Sequence, residues 1–196
     1  MARPKSYDRD VALRRACEAF WAHGYGPLGV RAIEDQTGLN QFAIQREFGG
    51  KEGLLVEAMM FYADSARRYA LKPMATDGVG SIVAFLRGLV ANGSPTSSKW
   101  GCLLVNSGIE NAEIRSARIK AVSTAYWRSL RKHFAAALRR SIDRGEIQKK
   151  LDVADISAAM VTAVMGIHAA NRIAGSNQGG AHLVRMIEAQ IESWRT

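Results

Sequence analysis

The segment Val30-Arg31-Ala32-Ile33-Glu34-Asp35-Gln36-Thr37-Gly38-Leu39-Asn40-Gln41-Phe42-Ala43-Ile44-Gln45-Arg46-Glu47-Phe48 decides how the chain is read. Two short stretches of helical periodicity, about Val30 to Thr37 and Gln41 to Phe48, flank Gly38-Leu39-Asn40. Glycine supplies the left-handed conformation that a tight turn between helices needs. Leu39 packs inward between the two helices, and Asn40 is a good N-cap for the second. The lengths and the turn are those of a helix-turn-helix. Ile33, Leu39, Ile44 and Phe48 dock the pair onto a preceding helix through Cys17 and Phe20. Gln41, Phe42, Gln45 and Arg46 are left to face a major groove, where Gln pairs with adenine and Arg with guanine.

Outward from this segment, helical periodicity continues in both directions. Asp8 to His23 carries Val11, Ala12, Cys17, Phe20 and Trp21 as its apolar set, and Gly24-Tyr25-Gly26-Pro27 stops it. Gly49-Gly50 ends the second short helix. Lys51-Glu52 then opens a long one with Leu54, Leu55, Ala58, Met59, Tyr62 and Ala66 on one face. After a break from Pro73 to Gly80, helices are expected over Ser81 to Ala91, Leu103 to Ile109 and Glu113 to Gly145. Two more follow: one capped by Asp152 or Asp155 and reaching about Ala174, the other from Ala181 to Arg195. No segment alternates like a half-buried strand. The expected fold is all-α, with about nine helices.

Composition narrows the function. Of 196 residues 47% are hydrophobic and 23% charged, too apolar for a disordered chain. No run of about 18 apolar residues stands out, so no transmembrane helix is expected. The N-terminus lacks an apolar h-region, so secretion is not indicated. Cys17 and Cys102 are far apart and lack metal or disulfide spacing; a reduced, cytoplasmic protein is the expectation. The net charge is +9, and Arg115 to Lys150 alone holds eleven basic residues against Asp143 and Glu146. The rest of the chain is neutral, so the surplus reads mainly as a solvated helix face.

The spacing of Ala16, Phe20, Gly24-Tyr25, Val30, Ile33, Gly38-Leu39-Asn40, Phe48 and Lys51-Glu52-x-Leu54-Leu55 resembles the tetracycline-repressor (TetR) family of bacterial transcription regulators. Gly101-Cys102-Leu103-Leu104-Val105-Asn106, followed by Glu110, looks like a segment found in one broad branch of that family. The resemblance implies an N-terminal three-helix helix-turn-helix DNA-binding domain, residues 1–50, connected through helix 51–72. It implies a C-terminal helical ligand-binding and dimerisation domain over residues 51–196. The recognition helix would run from Asn40 to Phe48, with Arg31 and Ala43 joining the DNA-facing set. Lys51 would contact phosphate, and Arg3, Lys5 and Arg9 would form a basic arm. The sequence departs from the family pattern at Gly29, Glu34, Phe42 and Gln45, which points to a distinct operator.

One small helix-turn-helix makes few contacts, so a homodimer reading a palindromic double-stranded operator is expected. The dimer-interface candidates are Ile156, Met160, Ala163, Val164, Ile167 and Ala170 with Leu183, Ile187, Ile191 and Trp194. A small-molecule effector is expected in a pocket drawn from Phe61, Phe85, Leu103, Asn106, Tyr126, Trp127, Met160 and His168; no cofactor or metal is expected. Cys102 has a second reading as a redox or electrophile sensor, if a helix N-terminus lowers its pKa. The class-distinct alternative is an all-helical enzyme or small-molecule-binding protein with no DNA role. Against catalysis, the chain has no Gly-x-Ser-x-Gly, no Glu-x-x-His pair and no phosphate-cradling glycine loop.

Overall fold

The computed structural model describes residues 7–196. Nine α-helices occur among them: α1 (Arg9–His23), α2 (Val30–Thr37), α3 (Gln41–Phe48), α4 (Lys51–Ala66), α5 (Val79–Gly88), α6 (Leu103–Ile114), α7 (Ala117–Asp143), α8 (Val153–Ala174) and α9 (Ala181–Glu192). The described residues contain no strand; one antiparallel bridge joins Ile147 to Arg195.

Local chemistry sets the boundaries of the N-terminal helices. The Asp8 carboxylate accepts the N–H groups of Asp10 and Val11 and starts α1. Gly29 starts α2 without a side-chain cap, and Gly38 ends it in the left-handed region at φ 74°. The buried Thr37 hydroxyl donates to the Ile33 carbonyl at 2.6 Å and accepts from the Leu39 N–H at 3.1 Å. The Asn40 side chain accepts from the Ala43 N–H at 2.8 Å, capping α3 as its sequence position implies. Gly49-Gly50 then reverses the chain so tightly that a Cβ on Gly53 would lie 1.6 Å from the Phe48 carbonyl oxygen. This backbone-on-backbone contact fixes α3 against the start of α4.

Elsewhere the helix ends shift from the periodicity reading. The expected helix from Glu113 is broken: Arg115 sits at φ 57° and ends α6, and Ser116 caps α7 through the Ile119 N–H. The Asn111 side chain accepts from the Ser116 N–H at 2.9 Å, giving that kink its own hydrogen bonds. Helix α5 starts earlier than expected, at Val79, whose N–H is taken by the Ser141 hydroxyl at 2.7 Å.

Two apolar cores run along the molecule. The first joins α1–α4 to α6 and the start of α7. The second joins α5, the rest of α7, α8 and α9, and Trp127 and Met165 pack against both. Helix α8 is long and apolar, with an 18-residue window of mean hydropathy 1.5, a value that core helices of folded proteins also reach. Thr162, His168 and Asn171 break any uninterrupted apolar run, which hid this in the sequence. The polar atoms of Asn171 are used inside the protein, donating to the Leu89 carbonyl and accepting from the Gly180 N–H.

Gly53→Ala is expected to lose about 2 to 3 kcal/mol of stability, because the clash is with backbone that cannot rotate away. Urea unfolding of the variant against the parent measures it; an unchanged midpoint would contradict the packing described.

Candidate functional site

Once Ile44 and Phe48 are buried, the outward face of α3 is a small mixed surface. Gln41, Phe42, Gln45 and Arg46 are all exposed, Phe42 by 69%. The Arg46 guanidinium lies 5.4 Å above the Phe42 ring and pairs with Glu47 at 2.9 Å. Arg31 is exposed in the first turn of α2. Ala43, expected in the DNA-facing set, is instead 5% exposed, because it turns toward the core beside Ile44. The Asn40 carbonyl oxygen is engaged as the helix cap, leaving only its amide N–H groups for another partner.

Two basic residues are placed differently from the sequence expectation. Lys51 is half-buried; its ammonium donates to the Tyr25 carbonyl at 2.5 Å and lies 4.2 Å from that ring, and burial lowers its pKa. Arg9 belongs to α1, pairs with Glu57 and covers the Phe48 ring at 5.1 Å, so it braces the head and is no free arm. Arg3 and Lys5 lie outside the described residues.

The three-helix head is fastened to the body around Tyr25. The Glu110 carboxylate accepts the Tyr25 N–H at 2.9 Å and the Gly26 N–H at 3.4 Å. Gly24, at φ 83°, makes room for it: a Cβ there would lie 2.6 Å from Glu110 Oε1. The Trp21 indole N–H donates to the Gly101 carbonyl at 3.0 Å, and Arg172 donates to the carbonyls of Trp21 and Trp100 at 2.9 and 3.2 Å.

Beside these latches lies a cavity of about 210 Å³. Its interior surface comes from Cys17, Trp21, Phe61, Tyr62, Phe85, Cys102, Tyr126 and His168, and Arg14, Glu18, Tyr69 and Pro95 carry its exposed rim. His168 is 6% exposed, and its Nδ1 has no hydrogen-bond partner among the described residues. Burial pulls its pKa down to about 4, so the imidazole is neutral at pH 7. Burial also pushes the Cys17 thiol up to about 12, with Glu18 adding to the effect.

Cys102 does sit at the start of α6. Its thiol is raised by burial, although Tyr62 and the N–H groups of Val105 and Leu104 pull the other way. The lowered pKa that the sensor reading required is therefore overridden by desolvation, and Cys102 is a closed, protonated thiol in this structure.

Residues 12–58 match the model of bacterial regulatory proteins of the tetR family. Residues 78–187, more than half of the chain, match the tetracyclin repressor-like C-terminal domain. The chain belongs to the TetR family of bacterial regulatory proteins. It is 32% identical to the HTH-type transcriptional repressor ComR of Escherichia coli (strain K12) over 54% of this chain and 51% of that one. The chain thus spans about half the length of that relative. Among solved structures, a TetR-family regulator from Cytophaga hutchinsonii superposes with a TM-score of 0.83 at 16% identity, covering 96% of this chain and 94% of that one. A cysteine mutant of the TetR-family regulator CifR, solved with 26-bp operator DNA, gives 0.78 at 24% identity over 98% and 100% of the two chains.

Within this TetR-family fold, the cavity gathers Phe61, Phe85, Tyr126 and His168 from the expected pocket set. The other four do not line it. Leu103 and Met160 are core residues, Trp127 packs across both cores, and the Asn106 side chain donates to the Trp100 carbonyl at 2.9 Å. Of the expected interface residues, Met160, Val164, Ile167 and Ile191 are buried within the protomer, so they cannot meet a partner. Ile156, Ala163, Ala170, Leu183, Ile187 and Trp194 stay half-buried, and Ile173 and Met186 are the large apolar groups that the periodicity missed. Cys17, Trp21 and Arg14 were also missed as cavity residues, since an apolar position on α1 reads simply as core.

The buried imidazole gives a pH signature. The unfolded chain protonates His168 near 6.5 and the folded chain only near 4, so the unfolded state binds the extra proton between these values. The stability linked to His168 is intact above pH 6.5 and falls, by up to about 3 kcal/mol, as pH drops toward 4. Cys17, Cys102, Tyr62 and Tyr126 face the same cavity but keep their protons in this window; Arg14 and Glu18 face it from the rim, and Arg172 is one turn further along α8. His168→Phe is expected to lose less stability between pH 7 and 4.5 in urea unfolding than the parent; parallel losses would contradict this.

Proposed function

We propose that the chain is a ligand-responsive transcriptional repressor that binds a palindromic operator as a two-fold dimer and is released by a small molecule. Residues 1–50 form the reading domain and residues 51–196 the ligand-binding and dimerisation body. The observation that carries this is the exposed row Gln41, Phe42, Gln45 and Arg46 on a helix whose turn and packing are held rigidly from beneath. Gln and Arg offer paired hydrogen bonds to base edges, and the flat Phe42 ring suits a thymine methyl. ComR is named a transcriptional repressor, and the CifR mutant is bound to operator DNA, which supports the same reading here. Two buried, unpaired thiols suit a reducing compartment, and we place the protein in the cytoplasm.

The dimer surface is the outer face of α8 and α9. Ile173 is 88% and Met186 62% exposed, and Ala163, Gly166 and Ala170 on the same helix face allow close approach of a partner helix. Ile173→Glu combined with Met186→Glu is expected to give monomers by light scattering and to lower operator affinity at least about tenfold, since one head makes too few contacts. A variant that stays dimeric would place the seam elsewhere.

Operator binding is tested on the DNA flanking the protein's own gene, across a salt series. Arg46→Ala should relax discrimination at particular base pairs by about 1 to 3 kcal/mol. Arg31→Ala should weaken all sequences alike and reduce the salt slope by about one. If neither substitution changes binding to a verified operator, α3 is not the reading helix.

A further inference from the structure

We propose that the junction cavity takes a small, uncharged aromatic molecule carrying a single hydroxyl, anchored on His168 and touching α1 directly. This deepens, and rests on, the effector-released regulator read above. The volume of about 210 Å³ lies below the roughly 300–1,000 Å³ of sites for drug-sized ligands, so it suits one ring with a few substituent atoms. Trp21, Phe61, Tyr62, Phe85 and Tyr126 give the cavity aromatic walls, which favour a planar ring in stacked or edge-on contact.

One polar function is required, and its chemistry follows from the imidazole. The His168 imidazole lines the cavity, is 6% exposed and makes no hydrogen bond among the described residues, and an unpaired polar group there carries a desolvation cost that a ligand can remove. Neutral histidine offers one donor and one acceptor nitrogen, and a hydroxyl, which both donates and accepts, pairs with the nitrogen that faces the cavity in either tautomer. The other polar groups make weaker claims: the Tyr62 hydroxyl and the Cys102 thiol lie close enough to act on one another. Charged ligands are disfavoured. Among the described residues that line the cavity only Arg14 and Glu18, at the rim, are charged, and with opposite signs, so an ion moved inside would lose its hydration without gaining a counter-charge.

The position of the site gives the ligand a lever. Cys17 and Trp21 belong to α1, and Trp21 also carries two of the head's attachments, through its indole N–H and its carbonyl. A ring seated against Trp21 therefore acts on the head directly, with no relay through other helices.

Isothermal calorimetry of the full chain with p-cresol tests this, with toluene and benzoate as controls. The expected result is one p-cresol bound per chain, benzoate bound far more weakly, and His168→Phe weakening p-cresol about tenfold while leaving toluene unaffected. Ala66 of α4 also lines the cavity; Ala66→Phe, which fills it and leaves His168 in place, should abolish both p-cresol and toluene binding, and it keeps the test decisive if His168→Phe does not fold. The proposal is overturned if the folded parent does not bind p-cresol at millimolar concentration, if benzoate binds as well, or if Ala66→Phe binds p-cresol like the parent. Calorimetry uses no DNA, so failure here leaves the operator-binding reading standing, and a failed operator assay leaves this result intact.

Discussion

The Glu110 carboxylate holds the N–H groups of Tyr25 and Gly26, and through that contact the chain between α1 and α2 is fastened to α6. Three elements meet there, because Lys51 at the start of α4 donates to the carbonyl of the same Tyr25. Gly24 is what permits it, having no Cβ to strike the carboxylate. The orientation of α3, and so what Gln45 and Arg46 can reach, follows from how α1 and α4 are held at this point. Hydrogen bonds to a charged group contribute about 1.5 to 3 kcal/mol. Allosteric coupling between two sites is typically about 1 to 3 kcal/mol. The fastening is therefore of the same size as a typical coupling free energy between two sites.

The second attachment explains why the cavity and the head are mechanically close. Arg172 and His168 lie one turn apart on α8, and Gly101 is pressed so near that a Cβ there would come 2.5 Å from the His168 carbonyl oxygen. The Gly101 carbonyl accepts the Trp21 indole N–H, and Arg172 donates to the Trp21 carbonyl. Helix α8, the Trp100–Gly101 turn and α1 thus share one tightly packed corner, with the imidazole on its cavity side. A packed corner of this kind shifts as a unit, because close-packed interiors have little free volume in which to absorb a local displacement.

The head was legible in the sequence, and the junction was not. Gly38, Leu39 and Asn40 each have a local physical reason to be where they are, and the structure places all three as their chemistry requires. Glu110 stood out in the Gly101-to-Glu110 pattern, yet nothing in the sequence says that its partner lies 85 residues earlier. The cavity was half legible for the same reason. Phe61, Phe85, Tyr126 and His168 could be guessed as bulky or polar groups on body helices, whereas the contribution of Cys17 and Trp21 depends on how the head docks. In α8 the periodicity gave a single broad stripe, but the structure divides it into an inward row with Met160, Val164 and Ile167 and an outward row ending at Ile173. A helix apolar on two faces has no amphipathic signature to separate them.

The positive charge of α7 can now be assigned by position. Part of it is structural: Arg131 donates to the Ala154 carbonyl, Arg140 to those of Met74 and Asp77, and Arg144 to that of Thr76. These guanidinium groups tie neighbouring segments together by capping carbonyl oxygens. Others, including Arg118, Lys120, Arg128, Lys132 and Arg139, are exposed along a helix of 27 residues. Such a helix is about 40 Å long, whereas the screening length at physiological salt is about 8 Å. The charges at the far end are therefore electrically remote from anything bound at the head. The near end is different, because an Arg118 nitrogen lies 3.5 Å from where a Gly53 Cβ would stand, at the first turn of α4. Arg115, Arg118 and Lys120 thus carry positive charge toward the N-terminal helices, while the exposed Gln41, Gln45 and Arg46 of α3 present the paired hydrogen-bonding groups that base contacts use.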